Sequence, residues 1–328
     1  MALGKKMYIL DMKHLEEGDV FLTSERSFTS KGVRGVTFSG FSHAILYVGH
    51  GSYIHSDSKG VHSANIQRLL FDTPSRVKVL RPKNPNTANN ASLYARSQIG
   101  KEYSVKEAIR TKVGTKRKKE NKQFCSRLVA EAFAYAGETI VNNPSYCSPS
   151  DINKSSFFEE VFGVVRKATE AEIDFANSPN PLQKQAEITN SILSEARRIT
   201  TSNIQTMEEL TWYVISNPEC ADSIVEVFEK SGYLTMWQYE MAQNPWRYDS
   251  KLFLELPMPS EEKLNLANFE AESAKKQFGL YEYNYQAYTE LGKKAPSSYI
   301  GMNLELYENL MHQMAARLKA AEYVKKNA

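Results

Sequence analysis

The sequence is poor in cysteine: Cys125, Cys147 and Cys220 are the only three in 328 residues. They are too few and too scattered for a disulfide framework or a zinc cluster, so a reducing compartment with at least one reactive thiol is expected. The six histidines contain no HExxH pair and no CxxC occurs, so neither a metal nor a cofactor is expected. No apolar run reaches the roughly 18 residues of a membrane-spanning helix. Near the start, the apolar stretch Met7 to Leu10 stops at Asp11, too short for the h-region of a signal peptide. The expectation is a cytoplasmic chain, or one exported without a cleaved signal peptide. Basic segments carry no interleaved stacking aromatics, so nucleic acid is not an expected partner.

The composition is 41% hydrophobic and 24% charged, which is globular, and the length suits one large domain or two ordinary ones. Charge favours two. Residues 1–178 hold 26 Lys/Arg against 18 Asp/Glu, and residues 179–328 hold 15 against 20, so the net +3 conceals halves of +8 and −5. The basic half admits an anionic partner such as a membrane surface. The run Lys116 to Lys119, "KRKK", reads first as a solvated loop, with contact to an anionic substrate or headgroup as the alternative.

In residues 1–178, "GDVFLTS" (18–24) and "HAILYVG" (43–49) have the β-branched and aromatic content of short strands, "SYIHSD" (52–57) can return antiparallel after Gly49 and Gly51, and "RVKVLRP" (76–82) alternates with period two as a fourth strand. Residues 88–99 read as a helix stopped by Gly100. In "QFCSRLVAEAFAYAG", Cys125, Leu128, Val129, Ala132, Phe133 and Ala136 recur at helical spacing, and Gly137 ends the pattern. Cys125 thus falls in a first turn, where unpaired N–H groups and the positive end of the dipole favour a thiolate. An imidazole on the sheet beneath that helix would complete an attacking thiol. A lone cysteine on such a face is otherwise a small buried hydrophobe, and a lone strand histidine an ordinary polar residue.

Six segments in order resemble one family: "GDVFL" (18–22), "FSHAILYVG" (41–49), "GSYIHSDSKGV" (51–61), "IGKEY" (99–103), "FCSRLVAEAFAYAG" (124–137) and "SPSDI" (148–152). Together they resemble the permuted papain-like, NlpC-type cysteine hydrolases, including the YiiX-like bacterial proteins and, more distantly, lecithin-retinol acyltransferase. The resemblance covers residues 8–175. It implies an α+β domain with an antiparallel sheet and a nucleophile-bearing helix, with Cys125 as nucleophile and His43 as base.

The resemblance gives the third role to His55, and Asp57 competes for it. A two-residue hairpin loop pairing Gly49 with Ser52 would turn His43 away from the face of His55. A three-residue loop pairing Val48 with Ser52 sets His43 opposite Asp57, with His55 a diagonal neighbour within about 7 Å. His50 in the turn, His62 after the strand and Cys147 in its proline-bearing loop read as solvated or structural residues.

The second half reads as all helical: residues 181–201, 216–232, 260–279 and 303–326 are amphipathic and punctuated by Pro or Gly. Ile188, Ile192 and Leu193 share a face, as do Leu304, Tyr307, Leu310, Met311 and Met314. Tyr281, Tyr285 and Tyr288 form a stripe that reads as a packed interface. The expected function is cleavage of a peptide amide, with peptidoglycan as one substrate, or of a lipid ester, through an acyl-enzyme. Such a protein could serve as an exported effector. The alternatives are a lipid acyltransferase of the same fold and a non-catalytic scaffold that meets a protein partner through its helical half.

Overall fold

The computed structural model describes residues 6–24, 40–103 and 123–328. The "KRKK" run lies outside the described residues. The chain divides into two compact units, Met1–Ala186 with Gln205–Glu208, and Glu187–Ile204 with Glu209–Ala328. The division falls within a helix at 181–200, beside the proline-bearing stretch where the charge balance changes sign.

The first unit is built on strands β1 (Tyr8–Leu10), β2 (Val20–Thr23), β3 (His43–Tyr47), β4 (Ser52–Asp57), β5 (Gly60–Asn65), β6 (Val77–Pro82), β7 (Phe158–Val161) and β8 (Val165–Lys167). Six of them form an antiparallel sheet in the order β5-β4-β3-β2-β6-β7, and β1 pairs with β8. Pro82 ends β6, where its missing N–H costs the ladder least. Helices α1 (Ala88–Ser97) and α2 (Cys125–Tyr135) are joined by short α3 (Pro149–Asn153) and α4 (Glu170–Asn177).

Side chains alternate across the pleat, so each central strand feeds two cores. Leu22, Ala44, Leu46, Val48 and Ile54 pack with Ala91 and Ala95 of α1 and with Leu128, Val129, Ala132 and Phe133 of α2. On the opposite face Phe21, Ile45, Tyr47 and Tyr53 pack with Leu10, Ile66, Phe71, Val79 and Val164. A sheet covered on both faces cannot slip by one residue without exchanging its two cores, so its register is firmly specified.

The second unit is helical, with α5 (Pro181–Thr200) entering it, then α6 (Met207–Ser216), α7 (Ala221–Ser231), α8 (Met236–Gln243), α9 (Ser250–Leu254), α10 (Ser260–Lys294) and α11 (Ser298–Asn327). The segments read as separate around Gly279 are one 35-residue helix, α10. Gly279 sits in open space with nothing within 4 Å of a Cβ, so glycine there is only a weak helix residue and not a stop. Ile192 and Leu193 are fully buried. On α11 the buried stripe runs through Asn303, Leu306, Met314 and Arg317, while Leu304, Tyr307, Leu310 and Met311 are half-buried at its edge. Tyr288 stacks on Tyr307 at 5.6 Å, and the hydroxyls of Tyr288 and Tyr299 both meet Thr211, so this part of the tyrosine stripe is a packed, half-buried interface. No described helix is long and apolar enough to cross a membrane.

Candidate active site

The turn between β3 and β4 decides which histidines can meet. Val48 N–H donates to Ser52 O at 2.9 Å, and Ser52 N–H to Gly49 O at 2.9 Å, with Leu46 opposite Ile54 and Tyr47 opposite Tyr53. This is the three-residue loop. Gly49, His50 and Gly51 all have positive φ, at 82°, 49° and 75°, a run that two glycines make inexpensive. In this register the rings of His43 and His55 stand edge to face, with Nε2 of His43 2.9 Å from Nδ1 of His55.

The row continues one strand further. β4 and β5 pair with His55 opposite His62, and the two Nε2 atoms are 3.0 Å apart. His62 Nδ1 lies 3.2 Å from the carbonyl of Gly60. The solvated role expected of His62 is therefore corrected: it is half-buried within β5 and bonded at both ring nitrogens. Weak alternation in "GVHSAN" hides this strand from the sequence. Gly60, at φ +96°, makes the turn, and a Cβ there would stand 2.5 Å from Lys101 O, so the "IGKEY" segment can lie directly on β5.

A carbonyl can only accept, and with the pKa values of His55 and His62 lowered and both rings neutral, that sets the direction of the row. His62 carries its proton on Nδ1, for Gly60, and presents a lone pair at Nε2. His55 then donates from Nε2 and accepts at Nδ1, so His43 donates from Nε2. The remaining nitrogen of His43, Nδ1, holds a lone pair. Burial, followed by the neighbouring rings of His43 and His62, pushes His55 well below the ordinary histidine range, which keeps it neutral and able to accept. Burial also lowers His62, against the opposing pull of Asp57.

The thiol is delivered by the helix start. Phe124 is extended, at φ −142°, and Cys125 is the first residue of α2. Its side chain is hydrogen-bonded to His43, and its sulfur also accepts from the backbone N–H groups of Ala44 and Ser126. Burial pushes the thiol up, yet the imidazole and the two amides outweigh it and the net shift is downward. By alternation, His43, His55 and His62 stand on the face of Tyr47 and Tyr53, away from α2. The imidazole therefore does not lie beneath the helix, as the sequence suggested. The two meet at the end of the sheet, where β3 and α2 both begin.

Surrounding groups hold this junction. Ser126 Oγ donates to Cys147 O at 2.7 Å, and Cys147 Sγ returns a contact to Ser126 O at 3.3 Å. Burial, with the charge of Cys125 second, pushes Cys147 up to about 12, consistent with a structural thiol. Arg127, fully buried, donates to Ser145 O at 2.8 Å and meets the rings of Phe124 and Tyr146, 4.6 and 5.2 Å from their centroids. Glu131 accepts from Tyr94, Gln123 and Ser145, each at 2.9 Å. Asp57, the competitor to His55, accepts from Lys59 N–H at 2.8 Å and approaches His62 at 3.8 Å. Tyr103, not singled out from sequence, also borders the site: burial and then the charges of Cys125 and Asp57 raise its phenol. Its signal was its place in "IGKEY".

Residues 14–170 match the model of a family described as permuted papain-like amidase enzymes, YaeF/YiiX, C92 family. The match lies within the segment whose motifs carried the resemblance; it bears out the permuted papain-like fold of that segment and supports a cysteine hydrolase at family level. It does not reach the helical unit. No curated protein matches the chain.

Proposed function

We propose that the first unit is an amide-cleaving cysteine hydrolase in which Cys125 is the nucleophile, His43 the general base and acid, and His55 the residue that orients His43. One observation carries this reading: the row from Gly60 O through His62, His55 and His43 is directional and ends at a thiol hydrogen-bonded to His43 at a helix start.

The chemistry follows from that direction. His43 Nδ1 takes the thiol proton, and the resulting imidazolium keeps its Nε2–H on His55, which is neutral and can accept it. The amides of Ala44 and Ser126 and the helix dipole support the sulfur while it is charged. The thiolate attacks the amide carbon, forming the C–S bond as the carbonyl electrons move onto oxygen. The backbone N–H of Cys125, in the first turn, is the oxyanion donor this geometry favours. When the C–N bond breaks, the leaving amine takes the proton from His43 Nδ1. Water then gives a proton to His43 Nδ1 and adds to the thioester, and as the C–S bond breaks the sulfur takes that proton back, which frees the acid and regenerates the thiol.

Iodoacetamide labelling tests the activated thiol. Cys125 should label at neutral pH faster than an ordinary exposed cysteine, and His43→Ala should slow it by about tenfold or more, since each pKa unit is a factor of ten in thiolate. An ordinary rate, unchanged in His43→Ala, would end the hydrolase reading in favour of a scaffold. For the substrate, wild type and Cys125→Ala are incubated with peptidoglycan fragments and with phospholipid, and products are read by mass spectrometry. Amide products lost in the mutant support the proposal, and lysolipid alone moves the function to ester cleavage.

A further inference from the structure

We propose that the β4–β5 hairpin is a binding site for a divalent transition-metal ion such as Zn2+, held by His55 Nε2, Asp57 Oδ2 and His62 Nε2, and that filling it switches Cys125 off. The site itself follows from the hairpin alone; its effect on the thiol rests on the function proposed above.

The three ligands come from one side of a rigid ladder. His55 and Asp57 are two apart on β4 and so share a face, and His62 is the cross-strand partner of His55 on β5. Their candidate ligand atoms all lie within 4.8 Å of one another. The Nε2 atoms are 3.0 Å apart, and His62 Nε2 is 3.8 Å from Asp57 Oδ2. Ligands about 2.0–2.1 Å from a tetrahedral metal stand roughly 3.4 Å from each other, so these separations bracket the required edge. Two nitrogens and one carboxylate oxygen are an ordinary donor set for zinc, with solvent in the fourth position.

The outer contacts also fit a metal. A ligating histidine normally donates its other ring N–H to a carbonyl or another acceptor, which aims the lone pair. His62 already does so, through Nδ1 to Gly60 O. The second carboxylate oxygen of Asp57 is held by Lys59 N–H, leaving Oδ2 for the ion. Asp57, which meets Lys59 N–H and His62, gains a role on this account.

Metal binding would reverse the direction of the row. An ion on His55 Nε2 replaces the proton held there, so the neutral ring carries its proton on Nδ1, pointing at His43. His43 Nε2 must then accept, and its own proton shifts to Nδ1, facing the thiol. A neutral His43 in that tautomer has no lone pair with which to take the proton of Cys125.

The binding test uses full-length Cys125→Ser, which removes the thiol as a competing zinc ligand. Calorimetric titration with Zn2+ and visible absorption with Co2+ should show one ion per chain. Asp57→Asn and His62→Gln, each added to Cys125→Ser and checked for native melting, should weaken it by about tenfold or more. Absence of a one-to-one site, or an affinity that neither substitution changes, overturns the site. For the switch, iodoacetamide labelling of Cys125 is compared with and without saturating Zn2+. Slowing in wild type that is relieved in Asp57→Asn supports it. Equal rates with the site filled overturn the switch and leave the hydrolase reading standing, as does protection that persists in Asp57→Asn, which would place zinc on the thiol itself. Slow labelling without zinc overturns the switch and the hydrolase reading together, while the site still stands or falls on the titration.

Discussion

Each unit of this chain has a cysteine at the start of a helix, and the two thiols are pushed in opposite directions. Cys125 opens α2 in the sheet-bearing unit, and Cys220 is the residue before Ala221, the first of α7 in the helical unit. Cys125 is lowered even though burial opposes it, because His43 and the amides of Ala44 and Ser126 surround the sulfur. Cys220 is raised, by burial first and then by the neighbouring charge of Glu219, and its sulfur faces the carbonyl of Asn217 at 3.0 Å. A helix N-terminus is therefore insufficient to activate a thiol. What separates the two is an imidazole: both thiols are raised by burial and lowered by backbone N–H groups, and only Cys125 has a histidine beside it.

The largest expected effect is the separation of the two thiols along pH. A lowered pKa means that the thiolate, and with it the alkylation rate, rises at lower pH. Cys125 should reach half its maximal rate on the acid side of an ordinary cysteine, with Cys220 on the alkaline side and Cys147, at about 12, last of the three. Peptide mapping after brief labelling across pH 5 to 10 would follow Cys125 and Cys220 in one protein, with Cys147 still near its baseline at pH 10. If the Cys125 and Cys220 curves coincide, the contrast between the units is lost.

A smaller effect isolates His55. Replacing it with alanine leaves His43 Nε2–H without an acceptor and frees the ring to adopt the other tautomer. Cys125 labelling at neutral pH should fall by about tenfold, the low end of what an orienting partner contributes. His55→Asn should recover much of the loss, since its amide oxygen can accept from His43. A purely structural role for His55 would show instead as an equal fall in both variants, together with lower melting temperatures.

These contrasts also mark what the sequence made legible. The strands at 20–23, 43–47, 52–57 and 77–82 carry β-branched and aromatic content and the helix from Cys125 carries clear periodicity, and each lies within the segment where it was expected. The hairpin register was legible as a conditional, because only one of two loop lengths puts His43 and His55 on one face. The sheet face was not. Helical spacing placed Cys125 toward a core, but the junction at the end of the sheet depends on where β3 starts, and no periodicity encodes that. His62 was missed because Val61 is the only fully buried apolar residue in β5, so the pattern is too thin to call a strand. In the second unit the stripe on α11 was displaced because two of its buried members are polar: Asn303, and Arg317, which pairs at 2.5 Å with the buried Glu270 of α10. A hydrophobicity pattern assigns such residues to the surface.

The smallest effect belongs to Glu219. Burial is the larger cause of the raised Cys220 thiol, and Glu219 acts second, from an exposed position where water and salt screen it. Glu219→Gln should therefore speed Cys220 labelling by less than about threefold at low ionic strength, and the gain should vanish as added salt shortens the Debye length to about 3 Å at 1 M. The ratio of Cys220 to Cys125 labelling within one sample measures this without any correction for reagent. Were Glu219→Gln to bring Cys220 level with Cys125, a helix start freed of its carboxylate would suffice to activate a thiol. The imidazole row of the first unit would then lose its claim to be what separates the two.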